Sequence, residues 1–254
     1  MKLKVLLLFL GLAMGFALGN IFFSPPESSK LYSVIMPRKV WTALDRYAPK
    51  HYSRGNEELI IRHFFADRRG GFFLDVGAYD YKIENNTYYL EKNLSWHGIA
   101  IDANRQFEQG YIDHRPNTRF FSFFVSDKSD EEADFFLVKD PKHLTKSTAV
   151  KSFIAGREAT EIKVPTITLN DLLQKTGVNK VDFLSLDIEL WEPHALAGFD
   201  IKKYKPALVC VEAHTPVQKQ LLQYFAENDY VRLEQYLLLD QNNWYFGPKD
   251  LLEK

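Results

Sequence analysis

From residue 56 onward, apolar positions fall into short runs separated by polar turns, and their spacing alternates between helical and extended. Residues 56–65 place apolar side chains at 60, 61, 64 and 65 with Glu57 and Glu58 in the first turn, which predicts a helix capped by Asn56. Beyond Gly70-Gly71, the runs at 72–74, 98–101, 119–125, 181–186 and 207–211 are short and continuously apolar, so they read as buried strands. Between them, residues 87–94, 169–174 and 193–197 read as helices, the second begun by Thr168 or Asn170 and the third carrying Pro193 in its first turn. A late amphipathic helix is expected at 218–228, and residues 231–239 with Trp244-Tyr245-Phe246 suggest a closing antiparallel pair. The sum predicts an α/β fold: a doubly wound, mostly parallel, Rossmann-like sheet with a C-terminal antiparallel hairpin, its ligands at the carboxyl ends of the strands.

The N-terminus follows a different pattern. Residues 5–23 carry no charge, and at about 1.5 Å per residue they span about 28 Å, close to the hydrocarbon thickness of a bilayer. We read residues 1–23 as a signal-anchor, a single-pass transmembrane helix through residues 5–23 that places the protein at a membrane. The alternative is a signal peptide cleaved before Asn20, which would leave a secreted or lumenal protein. Lys2 and Lys4 before this run are matched by Lys30, Arg38 and Lys39 after it, so charge does not choose the orientation. Residues 24–54, opening with Ser24-Pro25-Pro26, read as a linker and N-terminal extension, and residues 55–254 as the folded domain.

Composition narrows the function classes. With 46% hydrophobic and 15% aromatic residues, the chain can fill a substantial core. Its 32 basic and 33 acidic residues nearly cancel, so no overall field draws nucleic acid, and nucleic acid is not an expected partner. The single cysteine, Cys210, lies in an apolar run; it excludes an internal disulfide and any multi-cysteine metal site.

Four constellations carry candidate chemistry. Phe73-Leu74-Asp75-Val76-Gly77-Ala78-Tyr79-Asp80, with Asn86-Thr87 opening the next helix, pairs a glycine at a strand end with helix N–H donors, an arrangement that lets a ligand approach the backbone. The glycine-rich fingerprint of nicotinamide enzymes is absent, which argues against a dehydrogenase. Asp102, at the end of the second strand and followed by Ala103, can accept both hydroxyls of an adenosine ribose. Asp187 and Glu189 follow the 181–186 strand, and Glu212 and His214 follow the next, so all four should meet at one sheet edge. A histidine among carboxylates can accept a proton from a hydroxyl nucleophile; alternatively the carboxylates can hold a divalent metal, although no metal-ligand spacing marks one.

These stretches resemble the FkbM family of methyltransferases. The resemblance covers roughly residues 55–250 and rests on Gly71-Phe72-Phe73-Leu74-Asp75-Val76-Gly77-Ala78 with Asn86-Thr87-Tyr88-Tyr89-Leu90-Glu91, then Trp96-His97-Gly98-Ile99-Ala100-Ile101-Asp102-Ala103-Asn104. It continues through Thr168-Leu169-Asn170-Asp171-Leu172-Leu173 and Val181-Asp182-Phe183-Leu184-Ser185-Leu186-Asp187-Ile188-Glu189 to Leu196-Ala197-Gly198-Phe199-Asp200. It implies a class I methyltransferase fold, S-adenosyl-L-methionine as cofactor, and O-methylation of a hydroxyl on a glycan, lipid-linked or secondary-metabolite small-molecule acceptor. By the same resemblance Asp75, Gly77 and Ala78 would line the methionine side, Asp102 would hold the ribose, and Ser126-Asp127 would flank the adenine.

Two departures stand out. Tyr79-Asp80-Tyr81 occupies the place of the family's Asn-Asp-Gly, and Leu190-Trp191 follows Asp-x-Glu where a glycine is usual. Bulk at 81 or 190 is expected to narrow the channel or to stack on a flat substrate. It favours the alternative function, a catalytically silent methyltransferase-like module acting as a membrane-tethered interaction or trafficking protein. Retention of Asp75, Gly77, Asp102 and Asp187 favours the enzyme.

Overall fold

The computed structural model describes residues 42–140, 147–154 and 156–252. The hydrophobic N-terminal segment, and with it the expected anchor, lies outside the described residues; among those described, no helix is long and apolar enough to cross a membrane.

Helix α1 (Glu57–Phe65) precedes strand β1 (Phe72–Val76), α2 (Tyr88–Leu94), β2 (His97–Ile101), α3 (Glu108–His114) and β3 (Thr118–Phe121). After β4 (Phe124–Val125), β5 (Glu132–Val138) and β6 (Ala159–Ile167) come α4 (Leu169–Lys175), β7 (Phe183–Leu186), α5 (Glu192–Ala197), α6 (Ile201–Tyr204) and β8 (Leu208–Glu212). The chain closes with α7 (Gln218–Glu227), β9 (Tyr230–Arg232), β10 (Asn243–Pro248) and α8 (Lys249–Leu252).

A seven-stranded sheet runs in the order β3-β2-β1-β7-β8-β10-β9. All pairings from β3 to β8 are parallel, while β10 runs antiparallel to both β8 and β9. This is the mostly parallel, Rossmann-like sheet with a terminal antiparallel pair that the periodicity predicts. Connections lead from β1 outward through β2 to β3, and then from β7 outward through β8 on the other side. The strand order therefore reverses between β1 and β7, and a crevice opens at their carboxyl ends.

Strand alternation divides the core in two. Leu74, Val76, Ile99, Ile101, Leu184, Leu186, Val209 and Val211 pack in one cluster with the inward residues of α4, α5 and α7, whereas Phe73, Phe183, Leu208 and Cys210 face Leu59, Ile60, Leu90 and Trp96. Leu44 and Tyr47 belong to the second cluster, so the packed unit begins upstream of the boundary expected at 55.

Three local expectations differ from the structure. Asn56 makes no side-chain cap; its Nδ2 donates instead to the Leu239 carbonyl at 2.7 Å, tying α1 to the segment before β10. The phenylalanine-rich run at 119–125 is not one strand, because the chain leaves the large sheet after Phe121 and β4 pairs with β6 in a separate three-stranded sheet. The antiparallel β5–β6 pair that completes this sheet, in register from Glu132↔Pro165 to Val138↔Ala159, was not expected.

Candidate active site

Gly77 follows β1 directly at φ 79°, and a Cβ there would lie 1.7 Å from the carbonyl oxygen of Asp187. Only a residue without a side chain lets the β1 turn close against the end of β7. The N–H groups of Gly77 and Ala78 both donate to the Ile101 carbonyl, at 2.9 and 3.0 Å, which draws the same turn onto β2.

Asp102 follows β2 directly. Its Oδ2 accepts from Tyr79 N at 2.9 Å and its Oδ1 from Asn104 N at 2.8 Å, so two turns hold the carboxylate over the crevice. Burial pushes its pKa up to about 6, against the pull of those two N–H groups and with some help from Asp75. Tyr79 adopts the left-handed φ of 51° that the family's asparagine tolerates well, and its ring rests edge-on against Phe107.

Asp75 points away from the crevice. On β1 it shares a face with Phe73, and its carboxylate accepts from Thr87 Oγ1 at 2.7 Å. Burial raises its pKa to about 6, moderated by Thr87, Arg115 and Ser185. Beside it, buried Asn85 organises the loop: its Nδ2 donates to the carbonyls of Ala78 and Asp80 and to Tyr111, while its Oδ1 accepts from the N–H groups of Thr87 and Tyr88.

The crevice is a cavity of about 350 Å³. Gly77, Tyr79, Asp102, Ala103, Asn104, Phe107, Phe123 and Phe124 line one part of it; Asn86, Asp187, Glu189, Glu212 and His214 line another, with Arg54, Glu57, Asn242 and Asn243 beside them. At the acidic end His214 Nε2 stands 3.1 Å from Glu212 Oε1 and 3.5 Å from Glu189 Oε2. Asp187 lines the cavity and is exposed there. Desolvation of its carboxyl group by the surrounding protein, and then the facing Glu212, Glu189 and Glu192, hold its pKa well above the ordinary carboxylate range. Glu192, fully buried beneath, is raised to about 8 by burial, with Glu212 and Glu189 adding to the effect. Glu189 and Leu190 both have positive φ, 55° and 78°, and the Glu189 carbonyl accepts from Thr148 Oγ1 at 3.0 Å.

Of the residues singled out in the sequence, Gly77, Asn86, Asp102, Ala103, Asp187, Glu189, Glu212 and His214 converge on this cavity. Asp75, Ala78, Asp80, Thr87, Ser126 and Asp127 do not line it. Asp75, Ala78 and Thr87 are buried behind the turn, and Asp80 closes a small turn by accepting from the N–H groups of Lys82 and Ile83. Ser126 and Asp127 are carried aside by the departure of β4 from the main sheet; Ser126 accepts from Trp191 Nε1 at 3.3 Å, and Phe123 and Phe124 line the cavity there.

The expected obstruction by bulky residues is corrected. Tyr81 stacks on His114 at 4.5 Å between ring centroids, Leu190 packs against the core, and neither lines the cavity. Sequence reasoning missed Phe107, Phe123, Phe124, Arg54, Glu57, Asn242 and Asn243. For the last four no local signal exists, since they come from opposite ends of the domain and are brought together by contacts such as Asn243 Nδ2 to Glu57 Oε1 at 3.2 Å.

Two methyltransferases are among the solved structures similar to the chain. One is a TehB-like SAM-dependent methyltransferase from Corynebacterium glutamicum, at 14% identity and a TM-score of 0.43, covering 89% of this chain and 100% of that one. The other is a candidate RNA methyltransferase from Pyrococcus horikoshii, at 11% identity and a TM-score of 0.38, covering 84% of this chain and 98% of that one. No curated protein matches the sequence. The methyltransferase FkbM domain matches residues 75–234, more than half of the chain and the stretch that contributes most of the cavity wall. The chain belongs to the FkbM methyltransferase family.

Proposed function

We propose that the protein is an S-adenosylmethionine-dependent O-methyltransferase acting on a hydroxyl of a glycan, lipid-linked or secondary-metabolite acceptor, held at a membrane by residues 5–23. The observation that carries this reading is that one cavity contains both the Asp102 carboxylate at the end of β2 and, past the Gly77 turn, the Asp187–Glu189–Glu212–His214 cluster.

The residues fit the cofactor. Gly77 keeps the turn free of a side chain, Asp102 presents carboxylate oxygens for ribose hydroxyls, and the rings of Phe107, Phe123 and Phe124 suit a flat base. Bound S-adenosylmethionine supplies an electrophilic methyl group, which a hydroxyl oxygen takes as the O–C bond forms, the S–C bond breaks and the hydroxyl proton is released. The crowded carboxyl groups of Asp187, Glu189, Glu192 and Glu212 favour a positively charged ligand at this end. The same cluster is placed to receive the released proton. Around it, Arg54, Asn242 and Asn243 offer hydrogen-bonding side chains suited to a hydroxyl-rich acceptor. The bulk at 81 and 190, which favours a silent module, lies outside the cavity.

Two measurements test the proposal. Calorimetric titration should show saturable binding of S-adenosylmethionine and S-adenosylhomocysteine, and a screen of membrane glycolipids and free sugars should yield an acceptor. Asp187→Asn should then hold its melting temperature within a few degrees while turnover falls by roughly 100-fold, the scale of a positioned acid–base group. Near wild-type turnover in that variant would end the role of Asp187, and cofactor binding without transfer to any acceptor would return the silent module to first place.

A further inference from the structure

The smaller sheet reaches back to the acidic end of the cavity through residues 147–154. Thr148 pairs with Phe136 of β5, its N–H donating to the Phe136 carbonyl at 3.2 Å and its carbonyl accepting from Phe136 N at 2.9 Å, while Ser147 Oγ accepts from Val138 N at 3.1 Å. From that position Thr148, fully buried, donates through Oγ1 to the Glu189 carbonyl at 3.0 Å. Further along, the ring of Phe153 lies against that of His214, 5.3 Å between centroids. One short segment therefore touches both members of the pair in which His214 Nε2 stands 3.5 Å from Glu189 Oε2.

The backbone shows why Glu189 needs such a tie. Glu189 and Leu190 stand at φ 55° and 78°, where a side chain crowds its own backbone and glycine is at ease. Two consecutive residues persist there only when surrounding contacts over-determine them. Ahead of them Asp187 N donates to the Val76 carbonyl and Ile188 N to Glu192 Oε1, each at 3.0 Å; after them the Leu190 side chain packs against the core. Thr148 adds a tie at Glu189 itself. Val150 N donates to the same hydroxyl oxygen at 3.0 Å, which leaves the hydroxyl proton directed at the Glu189 carbonyl.

We propose that Thr148 and Phe153 are positioning residues for methyl transfer: the first holds the Glu189 backbone and the second the His214 ring, so that the carboxyl groups at this end meet the sulfonium of the methyl donor. Neither lines the cavity, so both act through residues that do. The inference rests on the methyltransferase reading of the cavity. S-adenosylmethionine carries a positive sulfonium, whereas S-adenosylhomocysteine, which lacks the methyl group, has a neutral sulfur. The ratio of their affinities therefore reports how well the acidic end is placed, while a general loss of fold lowers both alike.

The test is calorimetric titration of the full-length chain with both ligands. Thr148→Val, which keeps the shape and removes the donor, should weaken S-adenosylmethionine at least about tenfold. S-adenosylhomocysteine should stay within about twofold of wild type, which also reports that the variant folds. Thr148→Ser, which keeps the hydroxyl, should retain both affinities, and Phe153→Ala should shift the ratio in the same direction as Thr148→Val. An unchanged ratio in Thr148→Val, whether both affinities hold or both fall together, overturns the role, as does a Thr148→Ser variant impaired as much as Thr148→Val. If Thr148→Val does not fold, Phe153→Ala decides, and an unchanged ratio there overturns the role. A wild-type chain that binds both ligands while the variants keep its ratio leaves the methyltransferase reading standing alone; a wild-type chain that binds neither removes that reading and this role with it.

Discussion

Thr87 Oγ1 donates a 2.7 Å hydrogen bond to Oδ2 of Asp75, so the start of α2 is tied to β1 directly behind the glycine turn that borders the cavity. The bond explains why an acid sits in the middle of an apolar strand: it anchors the loop rather than contacting a ligand.

Thr87→Val, which keeps the shape and removes the donor, should cost about 1–3 kcal/mol. The cost should depend on pH. The folded pKa of Asp75 is raised from 3.8 to about 6, so its favourable contribution is complete below 3.8 and is lost as pH rises through about 6. Without Thr87 the ionised form is harder still to accommodate, and the deficit in melting temperature should widen on the alkaline side of about pH 6. Thermal denaturation of both proteins across that range checks this, and an equal deficit at every pH would count against it.

Gly77→Ala should damage the site more than the fold. The left-handed φ alone costs about 1–2 kcal/mol for a residue with a side chain, and the added carbon cannot remain 1.7 Å from the Asp187 carbonyl. The β1 turn and the end of β7 must separate, which moves Asp102 and Asp187 apart. We expect native-like far-ultraviolet circular dichroism, a lowered melting temperature and loss of S-adenosylhomocysteine binding. Retained affinity would show that the turn does not shape the cofactor end.

Asp102 should confer pH dependence on cofactor binding. Ribose hydroxyls donate best to an ionised carboxylate, and this one has its pKa raised to about 6 by burial. Affinity for S-adenosylhomocysteine should therefore fall as pH drops below about 6. Asp102→Ala should weaken binding by about 1.5–3 kcal/mol and flatten the profile. Calorimetry at several pH values reads both effects; a mutant that keeps the wild-type profile would free Asp102 of the ribose role.

Strands β1, β2, β7 and β8 were legible in the sequence because each is a short apolar run buried on both faces, and their terminal residues Gly77, Asp102, Asp187 and Glu212 mark the carboxyl edge. The β5–β6 pair also had a signal, the polar and apolar alternation from Thr160 to Val164, although Pro165 weakens a strand reading. The run at 119–125 had none that could locate its break, since Phe120, Phe121, Phe123 and Phe124 are chemically alike and only pairing with β6 takes the last of them out of the main sheet. Period-two alternation put Asp75 on the face of Phe73, but not which face borders the cavity. By itself the sequence determined strands β1, β2, β7 and β8, the glycine turn and the family, all of which depend on residues close together in the chain. The tertiary structure alone decided which carboxylates meet His214, where Tyr81 and Leu190 turn, and that Arg54 and Glu57 share a wall with Asn242 and Asn243, because those contacts arise from strand register and from chain segments far apart in sequence.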